Sequence, residues 1–278
     1  MLELSSIYKP ITATPFKKNE LYCEIEPCDE LKPYIRCFWG TPYPVIKKQD
    51  SIQEPTIVIP DTCMDIIFDI NYTKNRYNSC FCAIDEKPYK TYDQCRSDEI
   101  SIFSIRFHSW SAALFTDKSL KSTKNNTYNV NDFFNDIKQE LEPVLFDLKT
   151  LTDKIKFAQK ILIKKLNLNR QNNDILNSLY YIISSNGTIK MSELSMKTAL
   201  SLKQLERIFN EHIGLSPKSL SSLIRYQLLW QDIIYNKNFN IHNAIEKYNY
   251  FDQALLLNVF YRRHLMSPSN AMQFASKK

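Results

Sequence analysis

The chain has 278 residues, of which 44% are hydrophobic and 24% are charged, as in folded proteins large enough for two domains. Only three glycines occur, which excludes the glycine-rich loops that hold phosphates in nucleotide-binding enzymes. No apolar run approaches the roughly 20 residues needed to cross a bilayer, and the N-terminus lacks the basic start and apolar core of a signal peptide. We therefore expect a cytoplasmic protein without membrane contact.

The net charge of +6 is unevenly distributed along the chain. Residues 1–168 carry 23 basic and 23 acidic side chains, whereas residues 169–278 carry 13 basic and 7 acidic side chains. The positive charge therefore belongs to the C-terminal part, as expected when one domain meets phosphates and the other does not. A basic surface that only keeps the protein soluble is the alternative.

Residues 1 to about 130 have the pattern of β-strands, because short runs of β-branched and aromatic residues are broken by Pro, Asn and Asp. The clearest runs cover residues 34–39, 56–59, 64–70 and 100–107. In the last run one face is apolar, and the opposite face becomes polar toward Arg106. Such strands predict a small barrel or sandwich with a central pocket.

Three aspartates, Asp61, Asp65 and Asp69, recur every four residues and therefore share one face of a strand. A metal site has little support, since residues 1–168 contain a single histidine. We predict no metal and no cofactor. The polar face instead predicts a pocket for a small polar or anionic ligand, with a buried polar network as the alternative. Its candidate lining residues are Trp39, Cys63, Asp65, Arg106 and His108.

All cysteines of the chain lie in its first half, at Cys23, Cys28, Cys37, Cys63, Cys80, Cys82 and Cys95. Thiols of a cytosolic protein stay reduced, so we predict no disulfide framework. The Cys-x-Cys spacing is too tight for the usual zinc motifs. A catalytic cysteine would need a nearby base, and no such signature is present, so we predict no enzyme. Thiol-based sensing of oxidants or electrophiles stays open.

Helical spacing returns after residue 131. Residues 132–141 form one predicted helix, and residues 148–168 form a second with a single apolar stripe and lysines at 154, 156, 160, 164 and 165. This stripe fits either packing on the barrel or dimerisation. The polar segment 169–173 is the predicted linker. It separates a domain of residues 1–168 from a domain of residues 174–278, whose first helix covers residues 174–185.

Residues 191–217 predict two short helices joined by a tight turn. Ser201 stands where the second helix begins, and Gln204 follows three residues later, so the pair can form a capping box. Gly214 ends this helix, and a longer helix then covers residues 217–236. Apolar residues recur at helical spacing at Met191, Leu194, Leu202, Leu205, Ile208 and Phe209.

Residues 172–273 resemble the paired helix-turn-helix domain of the AraC/XylS family of bacterial transcription regulators. The resemblance rests on two copies of a phenylalanine followed seven residues later by Ser-Pro, at Phe209 and at Phe260. Segments 31–39, 60–68 and 105–115 resemble the β-rich, cupin-like sensor domain that precedes this domain in some members. Further matching residues are Leu194, Ser195, Ser201, Leu205, Arg207, Gly214, Arg225, Ile241, Tyr250, Asp252, Gln253 and Arg262.

The resemblance implies an α+β two-domain fold: a barrel- or sandwich-like N-terminal domain with helices, then an all-α domain of two helix-turn-helix units joined by a long helix. It also implies a sequence-specific regulator of transcription, an activator more than a repressor. Its expected partners are double-stranded DNA, RNA polymerase, a second copy of the chain and an unidentified small-molecule effector in the first domain. A ligand-independent regulator whose first domain only dimerises is an alternative.

By this resemblance Lys203, Glu206 and Arg207 face the bases. Arginine can pair with guanine and glutamate can accept from cytosine. A surface ion pair between Arg207 and Glu211 is the structural alternative.

The second unit departs from the family pattern, because Asn249-Tyr250 stands where Gly-Phe is usual. We expect it to add phosphate grip through Arg262 and Arg263 more than base reading, and Arg225 to anchor the long helix or a phosphate. The outward positions of its recognition helix are Gln253, Ala254, Leu255 and Asn258. The candidate DNA-contacting residues are Ser201, Lys203, Gln204, Glu206, Arg207, Arg225, Gln253, Asn258, Arg262 and Arg263.

Overall fold

The fold is that of a computed structural model, which describes residues 4–11, 22–46, 56–91 and 98–276. Cys95 lies outside these ranges. Within them the first domain contains nine strands: β1 (Cys23–Ile25), β2 (Ile35–Gly40), β3 (Val45–Ile46), β4 (Thr56–Val58), β5 (Cys63–Asn71), β6 (Arg76–Cys82), β7 (Tyr89–Thr91), β8 (Glu99–His108) and β9 (Thr127–Asn129).

The strands form an antiparallel sheet in the order β1-β2-β8-β5-β6-β9, with β3 also paired to β8. Strands β4 and β7 pair with each other in a separate two-stranded sheet. The runs predicted at residues 34–39, 56–59, 64–70 and 100–107 correspond to β2, β4, β5 and β8. The β-rich first domain and the helical second domain confirm the predicted fold class.

The two faces of the central pair β5 and β8 differ in chemistry because successive side chains alternate across a strand. One face carries Phe68, Phe103 and Phe107, which are fully buried in the hydrophobic core. On the other face Asp65 pairs with Arg106 in the strand register. The apolar face anchors the domain, and the polar face is available for a site.

Three helices belong to the first domain: α1 (Leu4–Ile7), α2 (Val130–Leu141) and α3 (Leu151–Lys165). The apolar stripe of α3 is largely buried within the chain, which corresponds to the alternative of packing on the first domain, and the first backbone N–H of α3 donates to the Pro42 carbonyl. Lys154 differs from the other lysines of this helix because it is fully buried. Its ammonium donates to Ser101 Oγ at 2.9 Å and to Tyr72 Oη at 3.3 Å.

The second domain consists of α4 (Asn173–Ser184), α5 (Met191–Thr198), α6 (Leu202–Ile213), α7 (Pro217–Tyr235), α8 (Ile241–Lys247), α9 (Gln253–His264) and α10 (Pro268–Ser276). The predicted helices at 174–185 and 217–236 agree with α4 and α7 to within one residue. Among the helices that the structure describes, none combines the length and apolar character of a membrane span.

The predicted linker packs on the first domain. Residues 168–170 form a 3-10 turn, the Asn167 N–H donates to the Leu114 carbonyl, and Arg170 Nε donates to the Ala113 carbonyl at 2.9 Å. These bonds hold the start of the second domain against the end of β8 and the loop after it.

Further contacts join the domains. Gln227, fully buried in the middle of α7, accepts from the Ile11 N–H and donates to the Pro60 carbonyl, each at 2.9 Å. At the end of α6, the Leu120 N–H donates to the Glu211 carbonyl at 2.8 Å. Gly214 lies against the same loop, and a methyl group there would lie 2.4 Å from Thr123 Oγ1.

Candidate nucleic-acid interface and effector site

The first helix-turn-helix unit consists of α5 and α6. Helix α5 ends at Ala199, whose φ of 54° is left-handed, and α6 begins shortly afterwards with Ser201 as its N-cap. Ser201 Oγ accepts from the Gln204 N–H, and Gln204 Oε1 accepts from the Ser201 N–H at 2.8 Å. The predicted capping box is therefore present. In the free protein the side chains of Ser201 and Gln204 therefore cap the helix, instead of being free to contact DNA.

The outward face of α6 carries the predicted base-reading residues. Lys203, Glu206 and Arg207 are exposed, whereas Leu205 and Phe209 on the opposite face are buried. This division is what a helix needs to enter a major groove while its other side packs on the domain.

The structure also contains the surface ion pair that was the alternative role of Arg207, because its Nη1 lies 3.2 Å from Glu211 Oε2. Both side chains are largely exposed, at 62% and 40%. An exposed pair one helical turn apart stabilises by about 0.3–0.5 kcal/mol, whereas a bidentate arginine–guanine contact discriminates by about 1–3 kcal/mol. Because the guanine contact is the stronger of the two, the ion pair with Glu211 does not prevent Arg207 from binding a base.

Helix α7 carries a helix-turn-helix unit at each end. Nineteen residues at 1.5 Å each make it about 28 Å long. Near its start, Ser221 Oγ donates to the Gly187 carbonyl, and a methyl group at Gly187 would lie 2.4 Å from the Ser221 carbonyl oxygen. Glycine is therefore required where α4 crosses α7, and the φ of 71° at this residue adds to that requirement.

Two candidate DNA-contacting arginines are engaged inside the domain. Arg225 stacks over the Tyr250 ring, with its guanidinium carbon 3.7 Å from the ring centre. Arg263 donates from Nη1 to the Ser222 carbonyl at 2.6 Å and from Nη2 to Ser222 Oγ at 3.0 Å. Both groups thus hold the second unit on α7, and burial lowers the pKa of each guanidinium. Arg262, by contrast, is exposed.

The second unit consists of α8 and α9. Asn249 adopts the left-handed conformation at φ 50°, and Asp252 caps α9 by accepting from the Leu255 N–H at 2.7 Å. Gln253 and Asn258 are exposed, as predicted for an outward face. Phe251, beside the start of α9, is 90% exposed and was not among the predicted site residues. The only signal in the sequence is its position next to the N-cap residue Asp252.

A buried ion pair forms the centre of the polar sheet face. Arg106 donates from Nε to Asp65 Oδ1 at 2.9 Å and from Nη2 to Oδ2 at 3.0 Å. Trp39 Nε1 and Ser104 Oγ also donate to Asp65 Oδ1, at 2.8 and 3.2 Å. The structure therefore brings together Trp39, Asp65 and Arg106 of the predicted ligand site, within a polar network that also supports the sheet.

Asp61 adds a second carboxylate to this network. Its Oδ2 lies 3.7 Å from Arg106 Nη1, and its Oδ1 accepts from the Cys63 N–H at 2.7 Å. Burial raises the pKa of Asp61 to about 6, although Arg106 opposes the shift. Among the described residues neither Arg106 Nη1 nor Asp61 Oδ2 has a hydrogen-bond partner. A bound polar group between them would satisfy both, as buried polar atoms require.

His108 lies further along the same face, opposite Cys63. It is buried and stacks on Trp110 with ring centres 4.4 Å apart. Burial and the charge of Arg36 lower the pKa of His108 to about 3, so this ring is neutral at physiological pH. It lines a cavity of about 190 Å³ at the domain surface, separate from the Asp65–Arg106 pair.

A second cavity, of about 250 Å³, lies between the domains. Trp110 and Leu114 line it from the first domain, Arg170 from the linker, and Ile175 from α4. His212, in the last turn of α6, completes the wall. An occupant of this cleft would contact both the first domain and α6.

No group of three or more His, Cys, Asp or Glu side chains in the described ranges is arranged to hold a metal ion. The six described cysteines are free thiols. Cys80 and Cys82 stand apart from the others because their sulfur atoms are 3.9 Å from each other.

Residues 23–129 match the model of a domain of unknown function, DUF6597. No curated protein matches the sequence. Among solved structures, ToxT from Vibrio cholerae O395 is 11% identical, with 87% of this chain and 99% of that chain covered and a TM-score of 0.42.

Two further crystal structures of ToxT from Vibrio cholerae are similar at the same level. The O395 protein bound to (E)-4-(8-methylnaphthalen-1-yl)but-3-enoic acid is 12% identical over 86% of this chain and 99% of that chain, with a TM-score of 0.43. Wild-type ToxT of strain SCE256 bound to an unsaturated fatty acid is 11% identical over 94% and 98%, with a TM-score of 0.41.

Proposed function

We propose that the protein is a sequence-specific, DNA-binding transcription regulator whose first domain controls it in response to a small molecule. One observation carries the DNA-binding part: two capped helices, α6 and α9, expose polar side chains and belong to units that pack on one helix, α7. The excess of basic side chains in residues 169–278 supports the same conclusion.

The length of α7 fits the geometry of a double helix. Two recognition helices that enter successive major grooves on one face of DNA must be about 34 Å apart. The connecting helix is about 28 Å long, which is of this order. Both units therefore bind the same face of the duplex.

The first unit carries most of the base reading. Arg207 binds a guanine edge, Lys203 binds a base or a phosphate, and Glu206 accepts from cytosine. The second unit contributes phosphate contact through Arg262, while Gln253 offers an amide to an adenine edge. The proposal also includes activation of transcription through RNA polymerase. Two copies of the chain would dimerise through α3, on which Ile163 is 43% exposed.

The test compares Arg207→Ala with Arg262→Ala on an operator selected from random DNA by the full-length protein. Loss of a base contact weakens binding to the selected operator by about 10- to 100-fold, with little change on unrelated DNA. Loss of the phosphate contact weakens both kinds of binding and lowers the salt dependence by about one counterion. Selection without a consensus, or equal loss on all sequences in Arg207→Ala, contradicts the proposal.

Effector control is supported by a short segment that touches both domains. Asp61 faces Arg106 in the polar network, whereas the neighbouring Pro60 carbonyl accepts from Gln227 on α7. Thr62 Oγ1 lies 3.0 Å from Tyr8 Oη in the N-terminal segment that also contacts α7. A small polar or anionic ligand that binds Arg106 displaces Asp61, and the displacement reaches α7 through the backbone of residues 60–62.

The effector part is tested by native mass spectrometry of the full-length protein for a retained small molecule, with Arg106→Met as the variant that loses it. Retention that is equal in the variant moves the site away from the polar face. The interdomain cleft at Trp110 and His212 is then the next place to examine.

A further inference from the structure

Cys80 and Cys82 form a pre-organised pair of thiols. They are two residues apart in β6, so both point to the same face of the sheet, and both are partly exposed. Strand β6 is hydrogen-bonded on both sides: Cys82 pairs with Asp65 in β5 and with Thr127 in β9. The backbone at both cysteines is therefore fixed, and the two sulfurs lie 3.9 Å apart on the same face of the sheet.

The two sulfurs share one hydrogen bond. Donation from the Cys82 thiol lowers the pKa of Cys80, and the same bond together with burial raises the pKa of Cys82. The Thr127 hydroxyl lies 3.8 Å from Cys82 Sγ and donates to it. A lowered pKa increases the fraction of thiolate, the nucleophilic form of cysteine, at Cys80.

A bridging atom suits this geometry better than a disulfide. Alternate residues of a strand have Cα atoms about 6.8 Å apart, at the upper limit for a disulfide whose S–S bond is about 2.05 Å. Two sulfurs bonded to one bridging atom at about 2.3 Å each can be up to about 4.6 Å apart, depending on the angle at that atom. The observed 3.9 Å lies within this range and far from the S–S bond length.

We propose that Cys80 and Cys82 form a bis-thiolate site for a thiophilic centre that is satisfied by two protein sulfurs, either a trivalent organoarsenical or a soft monovalent cation such as Cu⁺. Zinc needs four ligands, and the described residues offer no third donor to the cluster. With an arsenical R–As=O, two S–As bonds form, the As–O bonds break, and the oxygen leaves as water with both thiol protons. With Cu⁺, two S–Cu bonds form and the protons go to solvent.

The position of this site connects it to the polar face. Cys82 is the register partner of Asp65, which holds Arg106. An occupant of the dithiol therefore lies beside the proposed effector network. Any effect on DNA affinity rests on the proposed function, whereas binding of the ion itself does not.

The experiment treats the reduced full-length protein with one equivalent of phenylarsine oxide and measures the intact mass. One bridged adduct per chain is expected. Cys80→Ser and Cys82→Ser each lose the chelate and retain about tenfold less adduct after competition with a monothiol, because the second bond no longer forms at high effective concentration. The matched control is the double variant Cys23→Ser and Cys28→Ser, which removes two other partly exposed thiols and keeps the adduct.

A second arm titrates anaerobic Cu⁺ against a chromophoric chelator. Binding of the arsenical, of Cu⁺ or of both with loss in the two single variants supports the site and identifies its occupant. Absence of both, or an adduct that persists in Cys80→Ser, overturns it. If a serine variant does not fold, tandem mass spectrometry of the wild-type adduct decides, since the arsenic must bridge Cys80 and Cys82. Neither readout needs DNA. A failure of the thiol site can therefore be distinguished from a failure of the proposed regulator function.

Discussion

Replacing Gln227 by leucine tests whether one buried amide holds the two domains together. The wild-type amide accepts from the Ile11 N–H and donates to the Pro60 carbonyl, each at 2.9 Å, and the side chain has no exposed surface. Leucine fills a similar volume and makes neither bond. Each buried backbone group that loses its partner costs about 1–3 kcal/mol.

Two such groups give a total of about 2–6 kcal/mol, part of which returns through burial of the leucine side chain. We therefore expect Gln227→Leu to lower the free energy of unfolding of the full-length protein by about 2–3 kcal/mol. The assay is urea unfolding followed by fluorescence. Native-state hydrogen exchange is measured alongside, and the amide of Ile11 should exchange much faster in the variant.

Gln231→Leu is the matched control, because Gln231 lies one turn further along α7 and donates to the Lys9 carbonyl at 2.9 Å from a solvated position. Water replaces that bond, so a loss below about 0.5–1 kcal/mol is expected. Equal losses in the two variants, or unchanged exchange at Ile11 in Gln227→Leu, refute the assignment of Gln227 as the interdomain contact.

For two other substitutions the structure determines whether stability rises or falls. Burial lowers the pKa of Lys154 to about 8, so the folded state binds fewer protons than the unfolded state between about pH 8 and 10.5, and stability rises with pH through that window. Lys154→Met therefore stabilises the protein by about 1–2 kcal/mol at pH 7. Urea unfolding should show that this gain disappears above pH 10.5. The control Lys156→Met, at an exposed lysine, should show no gain. Gly214→Ala places a methyl group against Thr123 and in a left-handed conformation, and calorimetry should show a loss of about 2 kcal/mol or more. Thr123→Ser, which keeps the hydroxyl, should not rescue it.

Features that depend on near neighbours in sequence were predictable. The capping box follows from Ser201 and Gln204 three residues apart, because the N-cap and N3 positions of a helix are defined by that spacing. The shared face of Asp65 and Arg106 follows from strand alternation once both segments are strands. Local geometry alone determines these arrangements.

Features that depend on a distant partner were not predictable. Lys154 belongs by spacing to a solvated series of lysines, yet its helix meets the sheet where Ser101 and Tyr72 receive the ammonium. Arg263 looked like a phosphate contact, and only the fold shows Ser222 within reach. Each of these side chains is long enough to serve either role, so the element packed against it decides.

The attachment of both helix-turn-helix units to α7 has a consequence for how any control by the first domain would act. Arg263 binds Ser222 and Arg225 covers Tyr250, which fix the second unit, while Ser221 and Gly187 fix the start of the domain. The first domain contacts this assembly at Gln227 and at the end of α6. Under the proposed function, a movement of the first domain would therefore act on α6 and α7 together. Regulation would then change the orientation of the second domain toward a neighbouring protomer or polymerase.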